Sequence, residues 1–413
     1  MLILYNIAIY FYVGLIKLAS LFHEKARKWI KGRRYWHNSL TAVIQKNNKY
    51  IWVHASSLGE FEQGRPVIET LREMHPSYKI ILTFFSPSGY EVRKNYSMVD
   101  YVCYLPADTP GNASKFLDTI NPSIVFFIKY EFWFNYLQVI HKKQIPVYFF
   151  SVRFRNGQYF FKRYGKWFLK KLKKINWFFV QDENSVNLLK SAGIPNVILS
   201  GDTRFDRVLG VTQHKKNFPL VDKFSHNSNT IVAGSTWPAD EDMLIKIINK
   251  LDHKVKFIIA PHEIHLQRIE LFCSKLDKKS LKFSEANENN IESATVLIID
   301  SIGLLLHLYQ YASFAYIGGG FGKSIHNILE AAAFGAPVVF GPQYHKFQEA
   351  HDLISLGGAH TVKNFEELEV AFTKLLNDVN HRRQCSEVCS EYVISHAGAT
   401  DKIMSQIKGQ LSK

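Results

Sequence analysis

The sequence predicts two doubly wound α/β domains that face each other across a cleft, preceded by a helix that anchors the chain to a membrane. At 413 residues the chain is too long for one core of ordinary size. Short apolar segments alternate with helical patterns, and the alternation restarts after a polar stretch at 214–229. We expect the anchor and its basic flank in 1–35, an N-terminal domain in 36–212, and a C-terminal domain in 213–413 whose last helices can pack back on the first domain.

The first segment, LILYNIAIYFYVGLIKLASLF, is almost entirely apolar and is interrupted by Asn6 and Lys17. A helix that spans a bilayer needs about 20 apolar residues, so this segment is just long enough. It lacks the leading charges and the small-residue cleavage site of a secretory signal. A buried core helix is the alternative to an uncleaved anchor, and the basic residues that follow favour the anchor, with its flank in the cytoplasm. These residues are Lys25, Arg27, Lys28, Lys31, Arg33 and Arg34.

Both domains are predicted from apolar runs that lack polar alternation, which is typical of strands buried on both faces of a parallel sheet. Ligands of such sheets bind beyond the carboxyl ends of the strands, so polar residues that follow each run are the candidate site. The runs of the first domain are at 50–56, 79–85, 101–107, 123–129, 146–152, 177–182 and 197–202. Those of the second domain are at 230–236, 256–261, 295–300, 314–319 and 337–342.

The composition indicates an anionic partner. The formal net charge is +15 and the aromatic fraction is 14%, a combination that suits an acidic membrane surface better than duplex DNA. The tract FKRYGKWFLKKLKK at 161–174 places Tyr164, Trp167, Phe168 and Leu172 near one helical face, which fits an anionic lipid surface or a solvated basic face. No base-stacking motif is evident, so we expect no nucleic-acid partner.

The cysteines indicate neither a disulfide framework nor a metal. They form no CxxC pair, and no His/Cys group has the spacing of a zinc site. His262, Glu263 and His265 follow a predicted strand, but their spacing is poor for a metal pair on a helix face. We therefore expect reduced thiols and no metal cofactor. The cysteines are Cys103, Cys273, Cys385 and Cys389.

A glycine-rich turn and a serine–threonine turn are the candidate anion sites of the second domain. Gly319 and Gly320 follow a predicted strand and precede a predicted helix, where a backbone can approach an anion closely, or simply turn tightly. Ser235 and Thr236 lie at a turn at the end of another strand and could hold a phosphate or cap the next helix.

On the helix after the glycines, Glu330 lies three residues beyond Asn327. Its carboxylate can accept hydrogen bonds from two vicinal hydroxyls such as those of a ribose, or make an ordinary contact with the helix dipole.

In the first domain, the stretch HASSLGEFEQGRP begins at His54 and contains Ser57, Gly59 and Glu60. Glu60 is either an ordinary carboxylate at the start of a helix or a functional group at the edge of the cleft. A helix N-terminus lowers the pKa of a carboxyl, whereas a general base near neutrality gains from a higher one.

Further polar residues of the first domain follow later strands: Glu131, Arg153, Asp202 and Arg204. Each could belong to an ordinary loop ion pair, but their common position at strand ends favours a shared site.

Several motifs together resemble the membrane-anchored Kdo transferases of glycosyltransferase family 30. These enzymes move 3-deoxy-D-manno-oct-2-ulosonic acid (Kdo) from CMP-Kdo to a lipid A precursor in lipopolysaccharide biosynthesis. The motifs are HASSLGE, EFWFN, QDENS, GDTRFD, AGSTWPADED and HNILEAAAFGAPVVFGP. The resemblance covers nearly the whole chain and implies a GT-B fold, a C-terminal donor domain, an N-terminal acceptor domain, no cofactor or metal, and a location on the cytoplasmic face of the inner membrane.

The resemblance also implies roles for individual residues. Glu60 matches the proposed general base, which would support direct displacement with inversion at the anomeric carbon. The donor-binding positions are Ser235, Thr236, His262, Gly319, Gly320, Lys323, Asn327 and Glu330. The acceptor or cleft positions are Ser57, Gly59, Glu131, Arg153, Asp202 and Arg204.

The sequence departs from the family pattern at three places. Many members read PRH where this chain reads Pro261, His262 and Glu263, and the missing arginine weakens an anion contact unless another cation replaces it. Candidates for that replacement are His262, His265, Arg268 and Lys323. Phe134 and Ile328 each stand where many members have proline.

Two alternatives stay open on the sequence: another membrane-surface GT-B transferase that uses a UDP-sugar, and a non-catalytic binder of anionic lipid or nucleic acid. The ordered polar residues at strand ends argue against the binder. The number of Kdo residues transferred, the oligomeric state, and whether the anchor spans the bilayer or lies in its interface are not determined by the sequence.

Overall fold

The computed structural model describes residues 1–411 and divides the chain into two compact units. Unit 1 contains residues 1–207 and the C-terminal segment that begins at Ala397, and unit 2 is Val208–His396.

The sheet of unit 1 has seven parallel strands in the order β3-β2-β1-β4-β5-β6-β7. Its middle strands are runs of large apolar residues that are fully buried, because helices cover both faces of the sheet. The order reverses between β1 and β4, which pair in parallel. The strands are β1 Tyr50–Ala55, β2 Lys79–Phe84, β3 Tyr101–Tyr104, β4 Ile124–Ile128, β5 Val147–Val152, β6 Trp177–Val180 and β7 Val197–Leu199.

The sheet of unit 2 also has seven parallel strands, in the order β10-β11-β9-β8-β12-β13-β14. Here the order reverses between β8 and β12. All twelve apolar runs of the sequence are strands, whereas β10 and β14 were not predicted because they are three-residue strands without an apolar run. The strands are β8 Asn229–Thr236, β9 Val255–Pro261, β10 Ser280–Lys282, β11 Val296–Ile298, β12 Phe314–Ile317, β13 Val338–Phe340 and β14 Ala359–Thr361.

Helices connect consecutive strands, and the boundary between the units falls within α10. The helices up to that point are α1 Leu2–Ala19, α2 Glu24–Lys31, α3 Trp36–Val43, α4 Leu58–Met74, α5 Pro87–Arg93, α6 Pro110–Ile120, α7 Phe134–Lys142, α8 Lys166–Leu172, α9 Glu183–Ser191 and α10 Thr203–Gln213. The later ones are α11 Pro219–Ser225, α12 Pro238–Lys250, α13 Leu266–Ser274, α14 Leu305–Leu308, α15 Leu329–Ala332, α16 Gln348–Leu356, α17 Phe365–Asn377, α18 Val379–His396 and α19 Ala399–Leu411.

Helix α1 is the predicted anchor, and none of its residues is buried. By length and composition it could cross a membrane. It nevertheless contacts unit 1 through polar groups: Tyr5 donates a hydrogen bond to Asp108 at 2.5 Å, and Asn6 accepts one from Asn135 at 2.9 Å. The asparagine that interrupts the apolar segment therefore faces the protein, and α1 is not a buried core helix.

The basic flank that follows α1 is not uniformly exposed. Arg33 is buried and donates hydrogen bonds to the backbone carbonyls of Trp29, Phe85 and Leu105. Burial lowers the pKa of its guanidinium to about 9. Arg33 is therefore part of the packing of unit 1, and the other five basic residues are the ones available to a surface.

The basic aromatic tract at 161–174 is also partly interior. Helix α8 covers only its second half, and Trp167 and Phe168 pack on Phe134 with ring centroids 5.4 and 4.9 Å away. Leu172 is buried, whereas Tyr164 precedes the helix and is 71% exposed. The four side chains thus do not form one exposed face.

Candidate active site

Two of the predicted residues of unit 1 lie at the point where its strand order reverses. Glu60 follows β1 and Glu131 follows β4, the two neighbouring strands at the reversal. In doubly wound sheets this position is where connections diverge to opposite faces and leave a crevice for a ligand. Two carboxylates from separate parts of the chain are therefore brought to the same sheet edge.

The carboxylate of Glu60 lies in the first turn of α4 and accepts a hydrogen bond from the backbone N–H of Ser56. Burial is the main influence on its pKa, and the negative charge of Glu131 acts in the same direction. The N–H groups of Ser56 and Ser57 and the charge of Lys129 oppose them, yet the pKa of Glu60 is raised to about 7. Desolvation by the protein itself thus outweighs the helix N-terminus.

Glu131 faces a histidine that has no proton to give it. His54 is fully buried, and its Nε2 lies 3.5 Å from the Glu131 carboxylate. That nitrogen accepts the indole N–H of Trp133 at 3.1 Å, while Nδ1 contacts the hydroxyl of Thr83 at 2.8 Å. These partners select the neutral Nδ1–H form of the ring. The charge of Glu131 is therefore not neutralised by His54 and remains able to raise the pKa of Glu60.

The charge of Lys129 acts on Glu60, and no sequence pattern identified this lysine. Lys129 directly follows β4 and lies in the left-handed region, with φ 62°, a conformation that is costly for a residue with a Cβ. Burial lowers the pKa of Lys129, and the charges of Glu60 and Asp202 oppose that shift. The backbone strain therefore places an ammonium group among carboxylates.

Asp202 and Arg204 form a local ion pair at 2.8 Å, and Asp202 also accepts the backbone N–H of Arg204. Arg153 pairs instead with Asp182 at 2.7 Å, so its guanidinium is already engaged. Of the predicted cleft residues, Glu131 and Asp202 thus share the electrostatic surroundings of Lys129 and Glu60, whereas Arg153 belongs to a separate pair.

Ser57 and Gly59 precede Glu60 in the chain, at the start of α4. Ser57 is the N-cap residue of α4, but its side chain makes no capping hydrogen bond. A Cβ added at Gly59 would meet nothing within 4 Å. The space beside Glu60 is therefore open at this glycine.

Most predicted residues of unit 2 likewise lie at the end of β8 or after β12, the strands at which the second sheet reverses its order, whereas His262 follows β9. Asp240, in the first turn of α12, organises this place although the sequence did not single it out. Its carboxylate accepts the backbone N–H groups of Trp237 and Gly319, both at 2.9 Å, and the hydroxyl of Tyr316 at 2.7 Å. Asp240 thus ties the glycine turn to the N-terminus of α12.

Ser235 and Thr236, which were predicted to lie at a turn, are the last two residues of β8, where its register with β9 shifts between Gly234 and Thr236. Ser235 lies in the left-handed region with φ 55°. The hydroxyl of Thr236 is buried and donates to Glu241 at 3.0 Å, so that hydroxyl faces the interior. Arg268 binds both oxygens of Glu241 and the backbone carbonyl of Thr236. The backbone at this strand end is therefore firmly held.

The glycine turn lies close to neighbouring backbone. Gly319 has φ 90°, and a Cβ at Gly320 would lie 2.5 Å from the backbone nitrogen of Gly341. Only glycine fits at both positions without displacing backbone, which is consistent with a turn that presents its amides.

His262 takes part in an aromatic stack at the position where the sequence resemblance implied an arginine. Its ring lies 4.6 Å from Trp237 and 4.3 Å from His326, and Trp237 donates a hydrogen bond to His326 at 3.0 Å. Burial and the neighbouring His262 lower the pKa of His326 to about 4, so that ring is neutral near pH 7.

The other candidates for the missing arginine differ in availability. Arg268 is held by Glu241, and His265 contacts Glu263 at 3.1 Å. Lys323 is exposed on the glycine-rich segment and forms no ion pair within residues 1–411. Lys323 is therefore the cation best able to reach an anion beside the turn.

Asn327 and Glu330, both predicted donor-binding residues, contact each other. The Asn327 amide N–H donates a hydrogen bond to the Glu330 carboxylate at 3.1 Å, and the Asn327 amide oxygen accepts one from the backbone N–H of Leu329. The helix expected directly after the glycines is shorter and begins later. It is α15, four residues long from Leu329 to Ala332, so a helix dipole is a minor influence on Glu330.

A family model described as 3-deoxy-D-manno-octulosonic-acid transferase (kdotransferase) matches residues 30–207. A 3-deoxy-D-manno-octulosonic acid transferase of Aquifex aeolicus is 28% identical over 79% of this chain and 86% of its own length. One from Haemophilus influenzae is 25% identical over 88% of this chain and 87% of its own.

Among solved structures, the fold is similar to that of a UDP-GlcNAc 2-epimerase from Neisseria meningitidis. The TM-score is 0.61, with 17% identity, and the match covers 87% of this chain and all of that one. With two parallel seven-stranded sheets, this likeness confirms the predicted fold class of two doubly wound domains of the GT-B type.

Proposed function

We propose that the chain is a Kdo transferase, and that it moves Kdo from CMP-Kdo to a phosphorylated lipid A precursor; the family model and the similar transferases support this. The observation that carries the assignment of roles is the carboxyl of Glu60, whose pKa is raised to about 7 at the strand reversal of unit 1. A group with this pKa is half ionised near neutral pH and is strong enough as a base to accept a proton during transfer.

In the proposed reaction the acceptor hydroxyl attacks the anomeric carbon of Kdo. The bond between that carbon and the phosphate oxygen breaks, and CMP leaves with the electron pair. The proton of the hydroxyl passes to Glu60. Direct displacement on the face opposite the leaving group inverts the anomeric configuration.

We assign CMP-Kdo to unit 2. The leaving group is a phosphate ester, so the donor site must stabilise developing negative charge with amides and cations. The glycine turn that Asp240 holds supplies backbone amides, and Lys323 supplies an exposed cation near them. Asn327 and Glu330 offer an amide and a carboxylate to sugar hydroxyls.

We assign the lipid acceptor to unit 1 because that unit carries both Glu60 and the exposed apolar helix. Ile3, Leu4, Ile7, Phe11 and Leu18 of α1 are each more than half exposed. Exposed apolar residues of this number mark a surface that membrane lipid covers. Since Tyr5 and Asn6 hold the helix against unit 1, we propose that α1 lies along the cytoplasmic face of the inner membrane.

The proposed chemistry uses no metal ion or other cofactor. The leaving group is stabilised by protein groups, and the nucleophile is activated by a carboxylate.

The experiment is mass spectrometry of a lipid A precursor incubated with CMP-Kdo and the purified full-length chain. Addition of one or more Kdo masses supports the proposal and also counts the transfers. Competition separates it from transfer of a sugar from a UDP donor: CMP should inhibit and UDP should not. An unmodified acceptor in the presence of CMP-Kdo, with transfer from a UDP-sugar, contradicts the assignment.

A further inference from the structure

We propose that unit 2 contains a zinc-binding site formed by His360, His381 and Cys385. One nitrogen of each imidazole and the thiol sulfur lie within 4.8 Å of one another. This cluster is separate from every residue that the proposed transfer uses, so it does not depend on the proposed function.

The distances suit a tetrahedral ion. Sγ of Cys385 lies 3.6 Å from Nε2 of His381 and 3.8 Å from Nε2 of His360. Zinc bonds of about 2.3 Å to sulfur and about 2.0–2.1 Å to nitrogen, at a tetrahedral angle, separate the two ligand atoms by about 3.6 Å. The side chains are thus already close to the separation that a shared ion requires.

Rigid elements supply the three ligands. His381 and Cys385 are four residues apart on α18 and therefore share one face of that helix. His360 lies on β14, which pairs with β13 at the edge of the sheet. Cys385 is buried and both histidines are half-buried, so the sulfur is desolvated while solvent can supply a further ligand.

Hydrogen bonds within the protein do not engage every polar atom of the two imidazoles and the thiol. Within residues 1–411 neither imidazole ring has a hydrogen-bond partner other than Cys385. A thiol has one proton and can donate to only one of two imidazoles. One cation would engage the lone pairs of all three groups, with the thiol proton released to solvent.

The ligand set selects the ion class. Two imidazoles and one thiolate are the ligands that zinc takes in proteins, whereas magnesium and calcium prefer oxygen. The nearby charges of Lys374 and Asp378 are opposite in sign and so oppose each other at the sulfur. A nucleophilic role for the thiol is disfavoured, because burial raises the pKa of Cys385.

An ion in this place would connect the edge strand β14 to α18. Spacing in the sequence did not reveal the site because His360 is 21 positions before His381 and comes from a strand that the sequence did not predict. We assign the ion a structural role in unit 2.

The test uses the full-length chain with Zn²⁺ in calorimetry and Co²⁺ as an optical probe. We expect one ion per chain, proton release on binding, a thiolate-to-cobalt absorption band, and a higher thermal midpoint with Zn²⁺. Replacing Cys385→Ser should abolish the band and lower Zn²⁺ affinity at least about 100-fold. His360→Asn and His381→Asn keep the thiol and should also weaken binding, which covers the case in which the cysteine variant folds poorly.

Matched controls are Cys273→Ser, a half-buried cysteine of the same unit, and His351→Asn, from a histidine pair with His345 that lacks a thiol. Both should bind Zn²⁺ as the unaltered chain does. Absence of binding, or equal affinity in the Cys385→Ser, His360→Asn and His381→Asn variants, would overturn the proposal.

Discussion

The two strand reversals of this molecule each place a carboxyl in the first turn of a helix, yet the two carboxyls differ in exposure and in partners. Glu60 of unit 1 is partly exposed, and desolvation, followed by the charge of a second carboxylate, raises its pKa to about 7. Asp240 of unit 2 is 1% exposed and accepts three hydrogen bonds from neighbouring groups. In the proposed reaction, the same position of the fold accepts a proton in one unit and holds the backbone amides of the donor-binding turn in the other.

The comparison teaches that exposure and partners, not residue type, decide the role of a carboxyl at a strand end. A carboxylate whose oxygens are occupied and buried cannot touch a substrate, but it can hold backbone amides in place. A carboxylate with an open side and a raised pKa can accept a proton.

Replacing Glu60→Gln should lower the rate of Kdo transfer by about 10²–10⁴-fold, because the amide can still accept the N–H of Ser56 but cannot take the hydroxyl proton. Binding of CMP-Kdo should be retained. Single-turnover kinetics and a separate donor titration measure the two effects. Glu73→Gln, at an exposed position of the same helix, is the control; a normal rate in Glu60→Gln would remove Glu60 from the mechanism.

Replacing Asp240→Asn should weaken CMP-Kdo binding roughly 10- to 100-fold, since a hydrogen bond to a charged group contributes about 1.5–3 kcal/mol. The substitution changes donor binding through the Gly319 amide and does not touch the reacting atoms. The pKa that governs the acid side of the pH profile of kcat/KM should therefore not change. Donor titration measures it. Asp242→Asn, exposed on the same helix, is the control, and Tyr316→Phe should have a smaller effect because it removes one of three partners. Unchanged donor affinity in a folded Asp240→Asn variant contradicts the assignment.

Replacing Gly59→Leu should raise KM for the lipid acceptor roughly tenfold, because a side chain there enters the open space beside Glu60 and misplaces the acceptor. The donor KM should not change. Gly111→Leu is a matched control: it is also the second residue of a helix in unit 1 with nothing within 4 Å of its Cβ position. Equal effects of the two variants on the acceptor KM would show that the space at Gly59 is not used.

Glu60→Gln should also stabilise the protein in a pH-dependent way. The folded pKa of Glu60 lies above its ordinary value, so ionisation in the native state costs stability as pH rises from about 4.5 to about 7, and the cost persists above it. Removing the charge should therefore gain on the order of 1–3 kcal/mol at pH 8 and little at pH 5. Thermal unfolding at both pH values measures this. A gain of equal size at pH 5 and pH 8 would argue against a raised pKa.

Much of the fold was predictable because its strands are long apolar runs that helical patterns separate. The two strands that escaped prediction, β10 and β14, are short, and five of their six residues are only half-buried. The stretch after the glycines also differs from the predicted helix. Residues 321–328 form turns and loops, and only the short helix α15 follows them.

The candidate site was predictable as a set of positions but not as a set of interactions. Strand ends and motifs identified Glu60 and Glu131, yet their electrostatic coupling depends on which strands become neighbours. Lys129 was not identified because a positive φ at a lysine has no signal in one sequence. Asp240 was overlooked because its importance lies in the amides that it holds, and one of these, the amide of Gly319, comes from the turn after β12, 79 residues later.

The most direct test of the account is the pH dependence of kcat/KM for transfer by three proteins: the unaltered chain, Glu131→Gln and Lys129→Met. Because the base must be ionised, kcat/KM should rise with pH and level off above a pKa of about 7. Removing the negative charge of Glu131 should move this limb to lower pH, and removing the positive charge of Lys129 should move it to higher pH. The claim that Glu60 is the proton acceptor would be contradicted if kcat/KM rose near the ordinary pKa of a glutamate, or if neither substitution shifted the pH at which it rises.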